Sequence, residues 1–286
     1  PTVTITNPVP GNVVGTIQLA ATASSPAGMG SVQFRVDGIA VGAPVTTAPY
    51  AVNFNTTTVP DGQHTISADA LDLANALTSA SVVVTVRNTP VVSTDPHYLT
   101  FDGVDDYVQV GDAPALSFGN GTTDTGMTVE AWMRLNSTAR QQVIGKWGET
   151  ANQEYKLQMV SGGSFRFELR DTSAGASAYV FTANGYSSLV GSWHHIAVSY
   201  DGRGGATAAD GITMYIDGLP VALVRVNNAA YVAMENGTDP VQIGREGPFW
   251  NQFNGGLDDI RLWSFGRSAS QIQGLFTSEL VGNEAG

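Results

Sequence analysis

Two tryptophans stand where an aromatic ring could meet a ligand. Trp147 follows Lys146 between Gly145 and Gly148. Trp250 follows Phe249 in the stretch Arg245-Glu246-Gly247-Pro248-Phe249-Trp250-Asn251-Gln252, which is longer than a simple hairpin needs. An indole offers its face to the apolar C–H side of a sugar ring, and aromatics carried on loops are free to do so. Around Phe167, the residues Arg166, Glu168 and Arg170 share the outward side of one strand, while Tyr215 takes the polar side of another. With Arg245 they would supply hydrogen bonds to hydroxyls and ion pairs to carboxylate or sulfate groups. Gathered on one sheet beneath the two tryptophans, these side chains would form a shallow groove with basic spots, suited to an acidic or hydroxyl-rich glycan. The alternating signs of Arg166, Glu168 and Arg170 fit equally well a set of salt pairs between strands.

Other chemistries find no support in residue type or spacing. The chain has no cysteine, which removes disulfides, thiolate metal sites and a cysteine nucleophile, and points away from secreted animal domains towards bacteria. His194 and His195 are adjacent and so point to opposite faces of a strand. They cannot chelate one ion there, and no glutamate stands at metalloprotease spacing, so both read as structural. His64 follows a turn with no partner motif and reads as a surface residue. No Gly-x-Ser-x-Gly elbow is present. Glycoside hydrolysis needs two opposed carboxylates, whereas Glu154, Glu168 and Glu246 each stand alone among non-acidic neighbours. A non-catalytic chain is therefore expected, although carboxylates from different strands can still meet in space.

The elements that position these residues are strands. The chain has 286 residues, 42% of them hydrophobic and only 13% charged, with 33 glycines. That composition is neither disordered nor suited to long helices, and the length suggests two all-β domains. The formal net charge of −12 argues against nucleic acid and against anionic lipid. No apolar run approaches the ~20 residues of a membrane span, so no membrane insertion is expected. In residues 1–88, Val32, Phe34 and Val36 alternate with polar neighbours, as do Ile66 with Ala68 and Val82 with Val84 and Val86. Pro10-Gly11, Asp37-Gly38 and Asp61-Gly62 mark turns between such runs, and a seven-strand sandwich follows. Residues 89–96, with Pro90 and Pro96 and no periodicity, read as a short extended linker. Residues 97–286 alternate again over about a dozen strands and predict a larger two-sheet jelly roll. Ser268 and Gln271 form a capping box that predicts one helix near the end.

Sequence order carries a further signal. The segments 1–26, 31–42 (SVQFRVDGIAVG) and 47–86 resemble bacterial immunoglobulin-like repeats, which implies a spacer without chemistry of its own. From residue 97 on, YLTFDGVDDYVQV, MTVEAWMRL, SWHHIAVSYDG, TMYIDGLPV and FNGGLDDIRLWSFGRSASQIQGLF, in that order, resemble the concanavalin A-like, laminin-G-like jelly-roll family. The fold class implied is an N-terminal Ig-like β-sandwich followed by a concanavalin A-like sandwich. The resemblance places Trp132, Trp193 and Trp263 in core positions and leaves Trp147 and Trp250 without a core role. It maps a structural calcium ion onto Asp102 and Asp258, whose carboxylates would tie the first strand of the domain to the last. Enzymes of this class commonly carry a Glu-x-Asp-x-x-Glu arrangement, which is missing here.

The expected function is a monomeric, non-catalytic, polysaccharide-binding module with an Ig-like spacer. It would be covalently joined to neighbouring modules of a larger secreted bacterial protein at the cell surface or beyond. The alternatives are an adhesive or structural module that contacts protein and, less favoured, a glycoside hydrolase or lyase of the same fold.

Overall fold

A computed structural model of the chain describes residues 1–88, 98–148, 152–247 and 250–275. The expected linker over 89–96 lies outside the described residues, as does Phe249. Two compact units emerge, one built on the strands of 1–88 and the other on those of 98–272.

The first unit is a sandwich of two sheets. Thr2–Asn7, Thr16–Ser24 and Tyr50–Asn55 form a three-stranded sheet. Gly11–Val13, Leu77–Val86, Gly62–Asp72, Met29–Val36 and Ile39–Val45 form a five-stranded one. Val32, Phe34, Val36, Ile66 and Ala68 point inward and are buried with Leu19 and Val84, as their alternation predicted. Eight strands stand where seven were expected. Pro8 and Pro10 interrupt the first run, because a proline cannot donate to a ladder, and the chain resumes at Gly11 in the other sheet, parallel to Leu77–Val86. Asp37 and Gly38 both take positive φ (49° and 81°), as a two-residue hairpin turn requires. His64 corrects its surface reading. It is only 9% exposed, and its Nδ1 lies 2.5 Å from Asp37 Oδ2 while Nε2 meets Pro60 O at 2.8 Å.

The second unit is also a two-sheet sandwich. The seven-stranded sheet runs Val108–Val110, Val241–Ile243, Gln141–Trp147, Gln153–Val160, Ser164–Asp171, Ala176–Thr182, Leu223–Val226. The six-stranded sheet runs Leu219–Pro220, Ile212–Ile216, Trp193–Tyr200, Met127–Leu135, Asn254–Trp263, Leu99–Asp102. Period-two patterning explains the layering. Phe165, Phe167 and Leu169 of one sheet and Val129, Ala131 and Met133 of the other are fully or almost fully buried in a single core. Each large side chain there contributes about 1.5–3 kcal/mol by leaving water. The predicted helix forms at Ala269–Leu275. Its capping box is present, with Ser268 N donating to Gln271 Oε1 at 2.9 Å and Gln271 N to Ser268 Oγ at 3.3 Å. Ile272 packs on Ala197 and Tyr215, covering part of the outer side of the six-stranded sheet.

Candidate functional site

The outer face of the seven-stranded sheet carries a row of polar side chains set by register. Gln109 pairs with Gln242, Gln242 with Gly145, Gly145 with Lys156, Lys156 with Glu168, and Glu168 with Tyr179. One residue step inverts the side-chain direction, so the outward position of Lys156 follows from the inward position of Tyr155 and Leu157. Gly145 leaves space in that row, since a Cβ there would lie 2.8 Å from Lys156 Cβ. An adjacent row holds Gln142, Gln158 and Arg166.

The charged groups in these rows are connected. Lys156 Nζ lies 2.7 Å from Glu246 Oε1 and 3.6 Å from Glu168 Oε2, and Arg166 Nη2 meets the same Glu168 oxygen at 3.0 Å. The expected cross-strand pairing of Arg166, Glu168 and Arg170 is thus realised differently. Glu168 pairs across strands with Lys156 and along its own strand with Arg166, while Arg170 donates to Gly175 O and Ser177 Oγ. Glu246 belongs to the hairpin that leaves the Val241–Ile243 strand and folds back over the sheet. Gln142 N donates to Asn251 O at 2.8 Å, Gln142 Nε2 to Arg245 O at 2.7 Å, and Asn251 Nδ2 to Glu246 Oε2. Trp250, paired with Glu246 across this hairpin, is 58% exposed. Arg140 is exposed, with Nη2 3.8 Å from Glu246 Oε2. Arg245 lies over the Tyr107 ring, 3.1 Å from its centroid.

Several expected site residues are therefore brought together on one face, namely Trp147, Arg166, Glu168, Arg170, Arg245 and Trp250. Trp147 differs in character from its expectation. It ends a strand, is only 8% exposed, and carries the Lys156 ammonium 3.7 Å from its ring centroid, so it is not an open loop platform. Tyr215 does not belong to the site. It lies on the other sheet, buried against Ala197 and Ile272, because the alternation that placed it outward could not say which sheet that outward side served. Gln142, Lys156, Gln158, Gln242 and Glu246 were missed. For Lys156 and Gln158 the signal was present in the alternation of Tyr155-Lys156-Leu157-Gln158-Met159, which turns both outward.

The proposed calcium pair is also corrected. Asp102 lies opposite Asn254 in the ladder, so Asp258 sits four residues further along that strand, roughly 13 Å away at the usual rise. One ion cannot bind both. Asp102, Asp105 and Asp106 instead place one carboxylate oxygen each within 4.8 Å of one another on an exposed turn. The turn is shaped by Asp102 Oδ1 accepting from Val104 N and Asp106 Oδ2 accepting from Asp102 N. Three hard oxygen donors at that spacing could hold a metal ion.

The remaining buried charges have structural partners. Lys146 Nζ is fully buried among Glu154 Oε1 at 2.7 Å, Asp112 Oδ1 at 2.8 Å, Ser117 Oγ at 2.6 Å and Gly237 O at 2.6 Å. Burial pushes the Glu154 carboxyl up, opposed by Lys146. His194 and His195 do face different partners. His194 Nδ1 lies 2.8 Å from Asp217, while His195 Nε2 lies 3.3 Å from Glu130, whose other oxygen faces Arg267 at 3.5 Å. Asp124 accepts from the Tyr200 and Tyr231 hydroxyls and Met234 N, and its burial raises the carboxyl above its usual range.

Comparison with known proteins adds the following. The model of the Concanavalin A-like lectin/glucanases superfamily matches residues 102–273, and that of a bacterial Ig domain matches residues 1–68. No curated protein matches the chain. Among solved structures, the fibronectin(III)-like modules of Clostridium thermocellum CbhA are 32% identical over 31% of this chain and 99% of theirs, with a TM-score of 0.27. The NanB sialidase of Streptococcus pneumoniae is 16% identical over 62% of this chain and 27% of its own, with a TM-score of 0.45. The CBM40 of the Ruminococcus gnavus IT-sialidase is 14% identical over 64% of this chain and 99% of its own, also at 0.45.

Proposed function

We propose that this chain, which belongs to the concanavalin A-like lectin/glucanases superfamily over residues 102–273, binds a glycan on the outer face of its seven-stranded sheet without cleaving it. The observation that carries this reading is the exposed Trp250 ring, held beside a face where Arg140, Lys156, Arg166, Arg170 and Arg245 outnumber Glu168 and Glu246. The ring supplies apolar contact to a sugar, and the guanidinium groups pair with hydroxyls or with carboxylate and sulfate. On a chain of net charge −12 such a face attracts an acidic or hydroxyl-rich polysaccharide locally while the rest of the surface repels it. The Ig-like unit serves as a spacer, and the natural setting is a larger secreted bacterial protein. A calcium ion held by Asp102, Asp105 and Asp106 would supply only charge neutralisation to that turn.

Hydrolysis is the second reading, and one contact favours it: Glu168 and Glu246, remote in sequence, meet on one ammonium. A pair of carboxylates can cleave a glycoside only if the glycosidic bond lies between them. Here Lys156 Nζ occupies that place, Glu168 is also held by Arg166, and Glu246 also accepts from Asn251 Nδ2. Gel retardation against a panel of soluble acidic and neutral polysaccharides tests the binding proposal. Retardation by at least one polysaccharide is expected, and none across the panel would refute it.

A further inference from the structure

Beside the ion-pair row, at the end of the sheet face, lies a pocket of ≈160 Å³ that the row itself does not use. Trp147 and Gly148 at the end of one strand, Asp239 before the next, Gln242 within it, and Arg245 and Gly247 after it form its lining. Its volume falls below the roughly 300–1,000 Å³ of sites that engulf larger ligands and is of the order of one sugar ring. One face of Trp147 is already taken by the Lys156 ammonium, so the indole meets the pocket with its remaining apolar surface. Asp239 and Arg245 give the pocket one acceptor and one donor of opposite charge. A strongly anionic or cationic ligand would face one unfavourable partner there, whereas a neutral polyhydroxyl ring can donate to Asp239 and accept from Arg245. Burial raises the Asp239 carboxyl above its usual range, so hydroxyl donors that replace lost water are favoured. Among the described residues Gln242 Oε1 has no hydrogen-bond partner, and a turn of its almost fully covered amide would bring it to a hydroxyl donor in the pocket. Gly148 is required by the same geometry, since a Cβ at that position would sit 1.4 Å from Asp239 Oδ2.

We propose that this pocket is a subsite for a single uncharged terminal sugar residue, oriented by Asp239 and Gln242 and walled by Trp147. The proposal rests on the glycan-binding reading and deepens it, because a pocket that holds one ring selects chain ends, while an open sheet face selects chain interiors.

The test is calorimetric titration of the full chain with an array of oligosaccharides that end in glucose, galactose or mannose. The same oligosaccharides with a bulky aryl ether on the terminal ring serve as the blocked set. The parent is compared with Asp239→Asn and with Gln242→Leu, the second of which removes an acceptor without a partner among the described residues, and thermal melting checks that both variants are folded. Expected are binding of an unblocked oligosaccharide by the parent, loss of binding on blocking, and at least tenfold weakening in both variants. Equal affinity of parent and variants, or of blocked and unblocked ligands, overturns the subsite and leaves face binding standing. No binding of any oligosaccharide or polysaccharide by the parent overturns the glycan-binding reading as a whole.

Discussion

Lys156 and Glu246, ninety positions apart in sequence, stand 2.7 Å apart with both side chains almost fully buried. Their contact pins the hairpin that carries Trp250 to the middle strand of the sheet. Glu168 approaches the same ammonium from the other side, so Lys156 neutralises two carboxylates at once.

Replacing the lysine therefore removes more than a single bond. Lys156→Met leaves Glu246 and Glu168 facing each other in a desolvated site, and we expect a loss of about 3 kcal/mol in stability, read by denaturant unfolding. The double variant Lys156→Met with Glu246→Gln should recover a large part of that loss, because it removes one of the stranded charges. A single variant as stable as the parent would show that the pair holds nothing together.

Lys146 presents the sharper case, since its ammonium has no exposed surface and four oxygens around it. Lys146→Met strands Glu154 without a cation, and the predicted cost is about 3–5 kcal/mol. Thermal melting of the second unit measures it, and a shift of less than one or two degrees would contradict the assignment of Lys146 as an internal clasp.

Much of this arrangement could be read from the sequence, and its limits have a physical cause. Alternation identified Arg166, Glu168 and Arg170 as sharing one outward face, because a strand fixes side-chain direction every second residue. The same rule put Tyr215 outward and could not reveal that its outward side lies on the other sheet, beneath Ile272. Register between distant strands is equally invisible locally. Asp102 and Asp258 look like partners by motif, but the ladder offsets them by four residues. Trp147 looked open because glycines flank it. The Lys156 side chain that covers it comes from a neighbouring strand. The two-domain, all-β organisation was legible because turn residues and period-two runs repeat along the whole chain.

The first unit carries its own pH signature. A hydrogen bond donated by His64 Nδ1 to Asp37 holds His64 above the ordinary 6.5, and the same bond holds the Asp37 carboxyl below 3.8. A raised histidine contributes its full stabilisation below pH 6.5 and loses it as pH rises through the folded value. A lowered aspartate contributes fully above pH 3.8 and loses it as pH falls through its own. The pair is thus strongest from pH 3.8 to 6.5. Scanning calorimetry of the full chain should show the first unit's transition falling between pH 6 and pH 9, and His64→Gln should flatten that decline. An unchanged slope in the variant would locate the pH dependence elsewhere.

Chelation addresses the acidic turn. Thorough treatment with EGTA should lower the melting temperature of the second unit, leave the first unchanged, and have no effect once Asp105 and Asp106 are both replaced by Asn. Chelation without any shift in the parent would argue against an ion at Asp102, Asp105 and Asp106.

The central claim is binding without cleavage on the outer sheet face, and it meets its most direct test in one titration. The parent, Trp250→Ala and Arg166→Ala are each titrated calorimetrically with the polysaccharide that retards the parent most strongly, while reducing ends are assayed in the same samples. Saturable binding by the parent, weakening of at least tenfold in each variant and no new reducing ends is the predicted result. Reducing ends that accumulate with the parent and vanish with Glu168→Gln or Glu246→Gln would contradict it.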